Sequence, residues 1–352
     1  MYKILFCDYL FQTGNICVDN VFLDILCKNN DVYALTSHDR VPKENKVTII
    51  EKSFYKYKKG KIRNFFRIIR IMINSARYAR IIKPDMIFIS VYETRLFGIA
   101  RSIISKKIPI AILENINVDM LENKLYLWCY KKYSNKVYHF VYENYIGSYL
   151  INKIGVKREK VFTISHPTYP DISIENNEIY KKYNLIAISG SNDDNWIQQI
   201  IDFEKETSFF VNNKISFLVK SKTNCFSDDF LVVVNNHLSN AEYNYYYHNC
   251  DFVVAPFPLS YKYRMSGCLI DSFSNNKRVI ATKFMLALEY ERKFDGIIKC
   301  FDNIEELLNI VLSDWKTNSD AFIDFKKEHS ANKIESQFDY ALNTIINTTG
   351  RK

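Results

Sequence analysis

The sequence predicts an α/β protein of two doubly wound, Rossmann-like domains facing a cleft. Three observations predict it. The chain has 352 residues, too many for one ordinary domain and suited to two. Short apolar or β-branched runs alternate with helical patterns along most of its length. A polar segment with two Pro, His166–Glu178, breaks that alternation and reads as a linker.

The runs of the first half are Lys3–Tyr9, Val32–Thr36, Val47–Glu51, Met86–Val91, Ile108–Glu114, Val137–Tyr142 and Val161–Ser165. Those of the second half are Leu185–Ser189, Ile215–Lys220, Phe230–Val234, Phe252–Phe257, Arg278–Thr282 and Gly296–Phe301. Few polar residues break these runs, which fits parallel strands buried on both faces. Ser239 with Glu242 forms a capping box ahead of a Tyr-rich helix. Asp302 with Glu305 predicts another helix start, before Leu307–Leu312. The expected domains are residues 1–170 and 171–330, with residues 331–352 as a C-terminal helix able to pack back on the first domain. Ligands of such sheets sit beyond the carboxyl ends of the strands, and with two domains the cleft is the default site.

Apolar residues make up 47% and charged residues 25%, which excludes disorder as the main state. No run of eighteen or more uncharged apolar residues exists, so a spanning helix is not expected. The start of the chain lacks the small-residue cleavage site of a signal peptide, and a cytoplasmic protein is expected. Eight Cys show no C-x-x-C spacing and read as reduced thiols packed as small hydrophobes. Neither a D-x-D loop nor His at metal spacing occurs, so no metal is expected.

Charge is uneven. The whole chain carries +9, residues 1–170 carry +14 and residues 171–352 carry −5. Lys52–Lys83 holds eleven basic residues and no acidic one. Arg63, Arg67, Arg70, Asn74 and Arg77 fall on one helical face, with Phe65, Phe66, Ile68, Ile69, Met72 and Ile73 over most of the rest. Such a helix fits docking on an anionic bilayer or a lipid phosphate, and it also fits a core helix with a solvated basic face. No RNA- or DNA-binding motif accompanies the charge, and no nucleic-acid partner is expected.

No G-x-G-x-x-G follows the first run, no P-loop occurs and no G-x-S-x-G occurs. A dinucleotide dehydrogenase, a P-loop kinase and a nucleophile-elbow hydrolase are all disfavoured. The richest stretch is Asp251–Thr282, which reads strand, loop, helix, strand. Ser266 and Gly267 stand at a helix start, where backbone amides attract anions and Gly lets a phosphate approach. Arg264 is placed to add charge-assisted bonds, and Asp271 lies one turn on, where a carboxylate can hold ribose hydroxyls.

Three segments together, Tyr245–Pro256, Arg264–Asp271 and Lys277–Thr282, resemble the donor-binding region of GT-B glycosyltransferases. The resemblance is closest to the family-4-like group that builds bacterial surface polysaccharides. It extends over most of the chain. Val156–His166 resembles the approach to that family's hinge, Leu185–Ser191 the first strand and loop of its nucleotide domain, and Ile215–Lys222 the second strand. The resemblance implies a donor site including Gly190, Ser191, Lys220, Lys222, Tyr263, Arg264, Ser266, Gly267 and Asp271.

This sequence departs from the family pattern in places. Of the family's two Glu separated by seven residues, the first position is Tyr263 and the second Asp271. The usual Arg and Lys are unmatched in Ser189–Trp196, which leaves Lys220, Lys222 and Arg264 to supply charge for the diphosphate. Where the family often has a His, this chain has Glu114, which fits a base or acceptor contact and also a structural carboxylate. The resemblance places Gly14 and Asn15 at the cleft and His166 at the hinge edge.

The implied function is metal-independent, retaining sugar transfer from a nucleotide-sugar to a glycan or polyprenyl-diphosphate-linked acceptor. No cofactor is implied, because the nucleotide-sugar is a substrate. Arg63, Arg67 and Arg70 are expected to face the inner side of the cytoplasmic membrane. A nucleotide-sugar epimerase and a non-catalytic glycan- or partner-binding protein remain alternatives on the same fold.

Overall fold

A computed structural model of the chain describes residues 1–10, 16–35, 47–49, 60–105, 107–168 and 180–348. Gly14, Asn15 and most of the linker lie outside these residues. The chain divides into two compact units. The first comprises Met1–Pro167, Tyr263–Met265 and His329–Lys352, and the second Thr168–Lys262 and Ser266–Glu328.

The strands of the first unit are β1 (Lys3–Asp8), β2 (Asp31–Leu35), β3 (Val47–Ile49), β4 (Met86–Val91), β5 (Ile110–Glu114), β6 (Tyr138–Val141) and β7 (Val161–Thr163). They form one sheet in the order β3-β2-β1-β4-β5-β6-β7, and every pair is parallel. The helices between them are α1 (Ile16–Asn29), α2 (Lys61–Ile82), α3 (Thr94–Ile104), α4 (Lys124–Lys131) and α5 (Asn144–Tyr149). Alternate side chains of the central strands point to opposite faces. Leu5, Cys7, Ile87, Ile89 and Ile112 join Ile71 and Met72 of α2, Phe97 of α3 and Tyr130 of α4 in one buried cluster. Phe88 turns the other way, toward Phe22 of α1 at 6.3 Å between ring centres.

In the second unit the strands are β8 (Leu185–Ala187), β9 (Phe217–Lys220), β10 (Phe226–Ser227), β11 (Leu231–Val234), β12 (Phe252–Ala255), β13 (Arg278–Thr282) and β14 (Ile298–Phe301). Their order is β10-β11-β9-β8-β12-β13-β14, parallel except for the short β10. The helices are α6 (Asp194–Thr207), α7 (Phe209–Asn213), α8 (Asn240–Asn249), α9 (Gly267–Ser274), α10 (Met285–Lys293), α11 (Ile304–Leu312) and α12 (Ser319–Glu328). From β8 the chain steps outward to β9 and β11, then returns beside β8 as β12 and steps the other way. The β8–β12 edge is therefore the switch point of this sheet, where doubly wound folds leave a crevice.

The last helix, α13 (Ala331–Thr348), belongs to the first unit. Its Phe338 packs on Phe22, Phe88 and Phe140 at 5.2–5.5 Å between ring centres. Lys28 of α1 pairs with Glu335 of α13 at 2.6 Å.

Three expectations about local structure change. The two-residue β10 was not expected. The capping box at Ser239 is present, but α11 starts one residue later than its predicted cap: Asn303, not Asp302, accepts from the amide three residues on. On α2, Phe65, Phe66 and Ile73 are exposed rather than part of a covered face. Arg67 is the reverse, only 3% exposed, and its guanidinium donates to the Leu10 carbonyl at 2.9 Å and to Asn64 at 2.8 Å. Arg67 therefore does not face a membrane. It ties α2 to the end of the first strand.

Candidate functional site

The second unit brings several of the sequence-selected residues to its switch point. β8 ends in a turn in which the Ser191 amide bonds Ser189 Oγ at 3.1 Å. Gly190 sits in this turn with open space where a Cβ would stand. Asn192 is buried, and its amide donates to the Ala187 and Lys220 carbonyls at 2.6 and 2.8 Å, pinning together the ends of β8 and β9. The Asp193 amide donates to the Pro256 carbonyl at 2.8 Å, so the loops after β8 and β12 are also joined.

Asp194 opens α6 and organises the loop after β9. It accepts from Ser221 Oγ at 2.8 Å, the Lys222 amide at 3.0 Å and Thr223 Oγ1 at 3.1 Å. Burial works to raise its pKa, but these donors and the Lys222 charge outweigh it and hold the carboxyl below its usual range. Lys222 Nζ donates to the Asn192 carbonyl at 3.2 Å, which lays its ammonium along the β8 turn. Lys220 Nζ lies 3.5 Å from His237 Nδ1 at the end of β9. Gly190, Ser191, Lys220 and Lys222 thus gather at the carboxyl end of the sheet.

Beyond β12, Ser266 caps α9 by accepting from the Leu269 amide at 3.4 Å. The first helical bond reaches back from the Ile270 amide to the Ser266 carbonyl, so the Gly267 and Cys268 amides have no acceptor within the helix. Gly267 is exposed. Five residues past the cap, Asp271 accepts from the Tyr243 hydroxyl of α8 at 3.1 Å. Burial pushes the Asp271 carboxyl up to about 6, against the pull of that hydroxyl bond. The switch point therefore offers amides and an ammonium for an anion, and a carboxylate that changes charge near neutral pH.

Tyr263 and Arg264 have other partners. Both belong to the first unit, where the Tyr263 ring stacks on Tyr149 at 3.8 Å between centres. The Tyr263 amide and the Arg264 guanidinium both donate to Asp119. Arg264 is thus an ion-pair partner of Asp119.

Glu114 is a second correction. It ends β5 fully buried, enclosed by donors. Tyr92 donates to Oε2 at 2.8 Å, Tyr130 donates to Oε1 at 2.7 Å, and His139 Nδ1 lies 2.7 Å from Oε1. His139 Nε2 faces the Ser134 carbonyl at 2.7 Å. Both ring nitrogens thus lie within hydrogen-bond distance of an oxygen, which fixes the imidazole beside the carboxylate. Burial pushes the Tyr92 and Tyr130 phenols well up, which keeps them donors. A carboxylate closed in this way holds β4, β5 and β6 together and has no path to a substrate.

His166 is likewise buried, with its ring 4.7 Å from that of Tyr142 and Nδ1 2.9 Å from the Pro167 carbonyl. Burial lowers its pKa to about 3, so it is neutral, and its ring packs on Tyr142. Sequence reasoning missed Asn192, which pins the loops that carry the selected residues. Its one signal was a polar residue just after a buried strand. Among the described residues no group of three or more His, Cys, Asp or Glu is placed to hold a metal ion. No described helix is long and apolar enough to cross a membrane.

The sequence matches no protein-family model and no curated protein. Solved structures do match. Sucrose-phosphate synthase from Thermosynechococcus elongatus aligns with a TM-score of 0.70 at 10% identity, over 99% of this chain and 100% of that one. Anabaena HepE in complex with UDP and glucose aligns at 0.62 and 14% identity, over 98% and 100%. UDP-GlcNAc 2-epimerase from Methanocaldococcus jannaschii aligns at 0.60 and 12% identity, over 97% and 99%. The chain therefore has the GT-B fold of two Rossmann-like domains. Enzymes on this fold that resemble it include both glycosyltransferases and UDP-GlcNAc 2-epimerases.

Proposed function

We propose that this protein is a glycosyltransferase of the family-4-like group. It moves a hexose-type sugar from a nucleotide-sugar to a glycan or polyprenyl-diphosphate-linked acceptor, in bacterial surface polysaccharide synthesis at the inner face of the cytoplasmic membrane. Transfer is retaining and independent of metal. The second unit binds the donor and the first the acceptor. One observation carries the reading: the Gly190–Ser191 turn and Lys222 lie at the carboxyl ends of β8 and β9, the loop after β8 is bonded to the loop after β12 that leads to the α9 start at Ser266–Gly267, and Asp271 stands one turn into α9. The diphosphate lies against the amides and Lys222, and the ribose against Asp271. HepE, which carries UDP and glucose on this fold, supports that choice of ligand. Catalysis rests on positioning the donor and on stabilising the departing diphosphate.

An epimerase is the second reading, favoured by the likeness to UDP-GlcNAc 2-epimerases over nearly the whole chain. Incubation with a donor and no acceptor separates the two. An epimerase converts the sugar, whereas a transferase leaves it unchanged until an acceptor is added. A protein that binds donor and does neither is the non-catalytic alternative.

The test of the donor site is thermal-shift titration with UDP, GDP, CDP and TDP, with and without magnesium. One diphosphate raises the melting temperature with no metal present. No response to any of them overturns the reading. The pH dependence follows from Asp271. Its carboxylate binds ribose hydroxyls best when ionised, so affinity falls as pH drops through about 6. Asp271→Asn removes that step. The difference between the two profiles isolates the carboxyl from the nucleotide's own ionisation. Parallel profiles place the ribose elsewhere.

A further inference from the structure

We propose that α2, α3 and α4 form one face that inserts shallowly into an anionic lipid bilayer. The three helices lie side by side on one face of the first sheet. α3 and α4 touch closely: Gly98 lies against the Cys129 carbonyl, and the Arg95 guanidinium sits 4.7 Å over the Tyr126 ring.

Each helix buries one stripe and presents another outward. On α2 the outward stripe is Phe66, Arg70, Ile73 and Arg77, spaced i, i+4, i+7 and i+11. On α3 it is Arg95, Ile99 and Ile103, and Ile99 is 69% exposed. On α4 it is Leu125 and Trp128; Trp128 is 57% exposed, with the ammonium of Lys132, just past the helix end, 3.3 Å over its ring. Large apolar side chains thus stand free on three adjacent helices, each interleaved with cations.

Charge selects the occupant. α2 has no carboxylate along its whole length. Near α3 and α4 the carboxylates sit at helix starts, where Glu93 pairs with Arg95 at 2.7 Å and Glu122 precedes α4. Between the ends of α2 and α3 lies a groove of about 550 Å³, edged by Arg80, Lys83 and Lys107 and floored by Ile104. A cationic groove of this kind receives a lipid phosphate, while the isoleucines and the indole enter the acyl boundary. A solvated basic face would need the arginines and not the apolar residues between them.

This face is wider than the arginine stripe of α2, and Arg67 is no part of it. It deepens the membrane-proximal acceptor of the proposed function and rests on that reading for its purpose. Its test needs no donor.

The full chain is sedimented with phosphatidylcholine vesicles and with vesicles containing phosphatidylglycerol. It pellets with the anionic vesicles alone, and its tryptophan emission moves to the blue, a shift that Trp128→Phe removes. Arg70→Glu with Arg77→Glu and Arg80→Glu weakens binding about tenfold or more. Ile99→Ser with Trp128→Ser keeps every charge, and its remaining binding is abolished by salt that leaves wild type bound. All the changed residues are exposed, and an unchanged circular-dichroism melt of each variant verifies its fold. Four outcomes overturn the proposal. They are no binding to anionic vesicles, equal binding of the Ile99/Trp128 variant, a wild-type dimer that this variant dissolves, and salt-dependent binding to duplex DNA in place of vesicles. Failure here with an intact nucleotide shift leaves the donor site standing, and the reverse result removes the donor site alone.

Discussion

Glu114 shows how far a single residue's surroundings decide its role. The carboxylate stands at the carboxyl end of a parallel strand, the position where α/β proteins place catalytic groups. Yet Tyr92, Tyr130 and His139 close around it. Removing a carboxylate from such a pair leaves a buried imidazole and two phenols without their acceptor. Glu114→Ala is therefore expected to cost about 3–5 kcal/mol of stability. Glu114→Gln keeps an acceptor oxygen and loses less. Urea unfolding midpoints of the two variants check this. An unchanged midpoint in Glu114→Ala together with lost sugar transfer would return Glu114 to the catalytic role. The closure was not legible in the sequence, because its partners come from β4, α4 and β6. Their spacings carry no period. Arg67 failed for the same reason, since the carbonyl that satisfies it is 57 residues away. The Ser266 cap was legible because cap and helix lie in one short stretch of sequence.

At the scale of elements, legibility follows burial. Parallel strands covered on both faces read as unbroken apolar runs, and every such run became a strand. The β10 strand has two residues and no run to read. The start of α11 was misplaced because Asp302–Glu305 and Asn303–Glu306 offer the same spacing. Only the hydrogen bond of Asn303 chooses between them. The α3–α4 contact is tight at Gly98. A Cβ on Gly98 would lie 2.8 Å from the Cys129 carbonyl oxygen, a backbone atom that cannot swing aside. Ala in place of Gly favours a helix by about 1 kcal/mol. Overpacking against backbone costs about 1–3 kcal/mol. The clash wins, so Gly98→Ala lowers the melting temperature. Gly147→Ala meets the Val161 and Val141 side chains at 3.3 and 3.4 Å, which can yield, and should cost less. Thermal melts of the pair compare the two. Equal losses would mean that α3 and α4 slide apart freely.

For the whole molecule, chain order and spatial order differ in a way that matters for folding. The first unit is completed by the last helix. Phe338 of α13 fills the space among Phe22, Phe88 and Phe140, so a chain ending before Ala331 leaves three core rings uncovered. The second unit has its own buried cluster, drawn from β8, β9, β12 and their helices, and needs nothing from α13. Truncating one aromatic in such a core costs about 3–5 kcal/mol, and removing a whole covering helix costs more. Deleting residues 331–352 should therefore leave the two units with unlike stability. In hydrogen exchange, the amides of β1, β4 and β6 lose protection while those of β12 and β13 keep theirs. Phe338→Ala repeats the pattern in milder form and guards against a deletion that merely aggregates. Equal loss in both sheets would show that the units unfold as one. Protection unchanged in β1 and β4 would mean that the first core holds without its last helix.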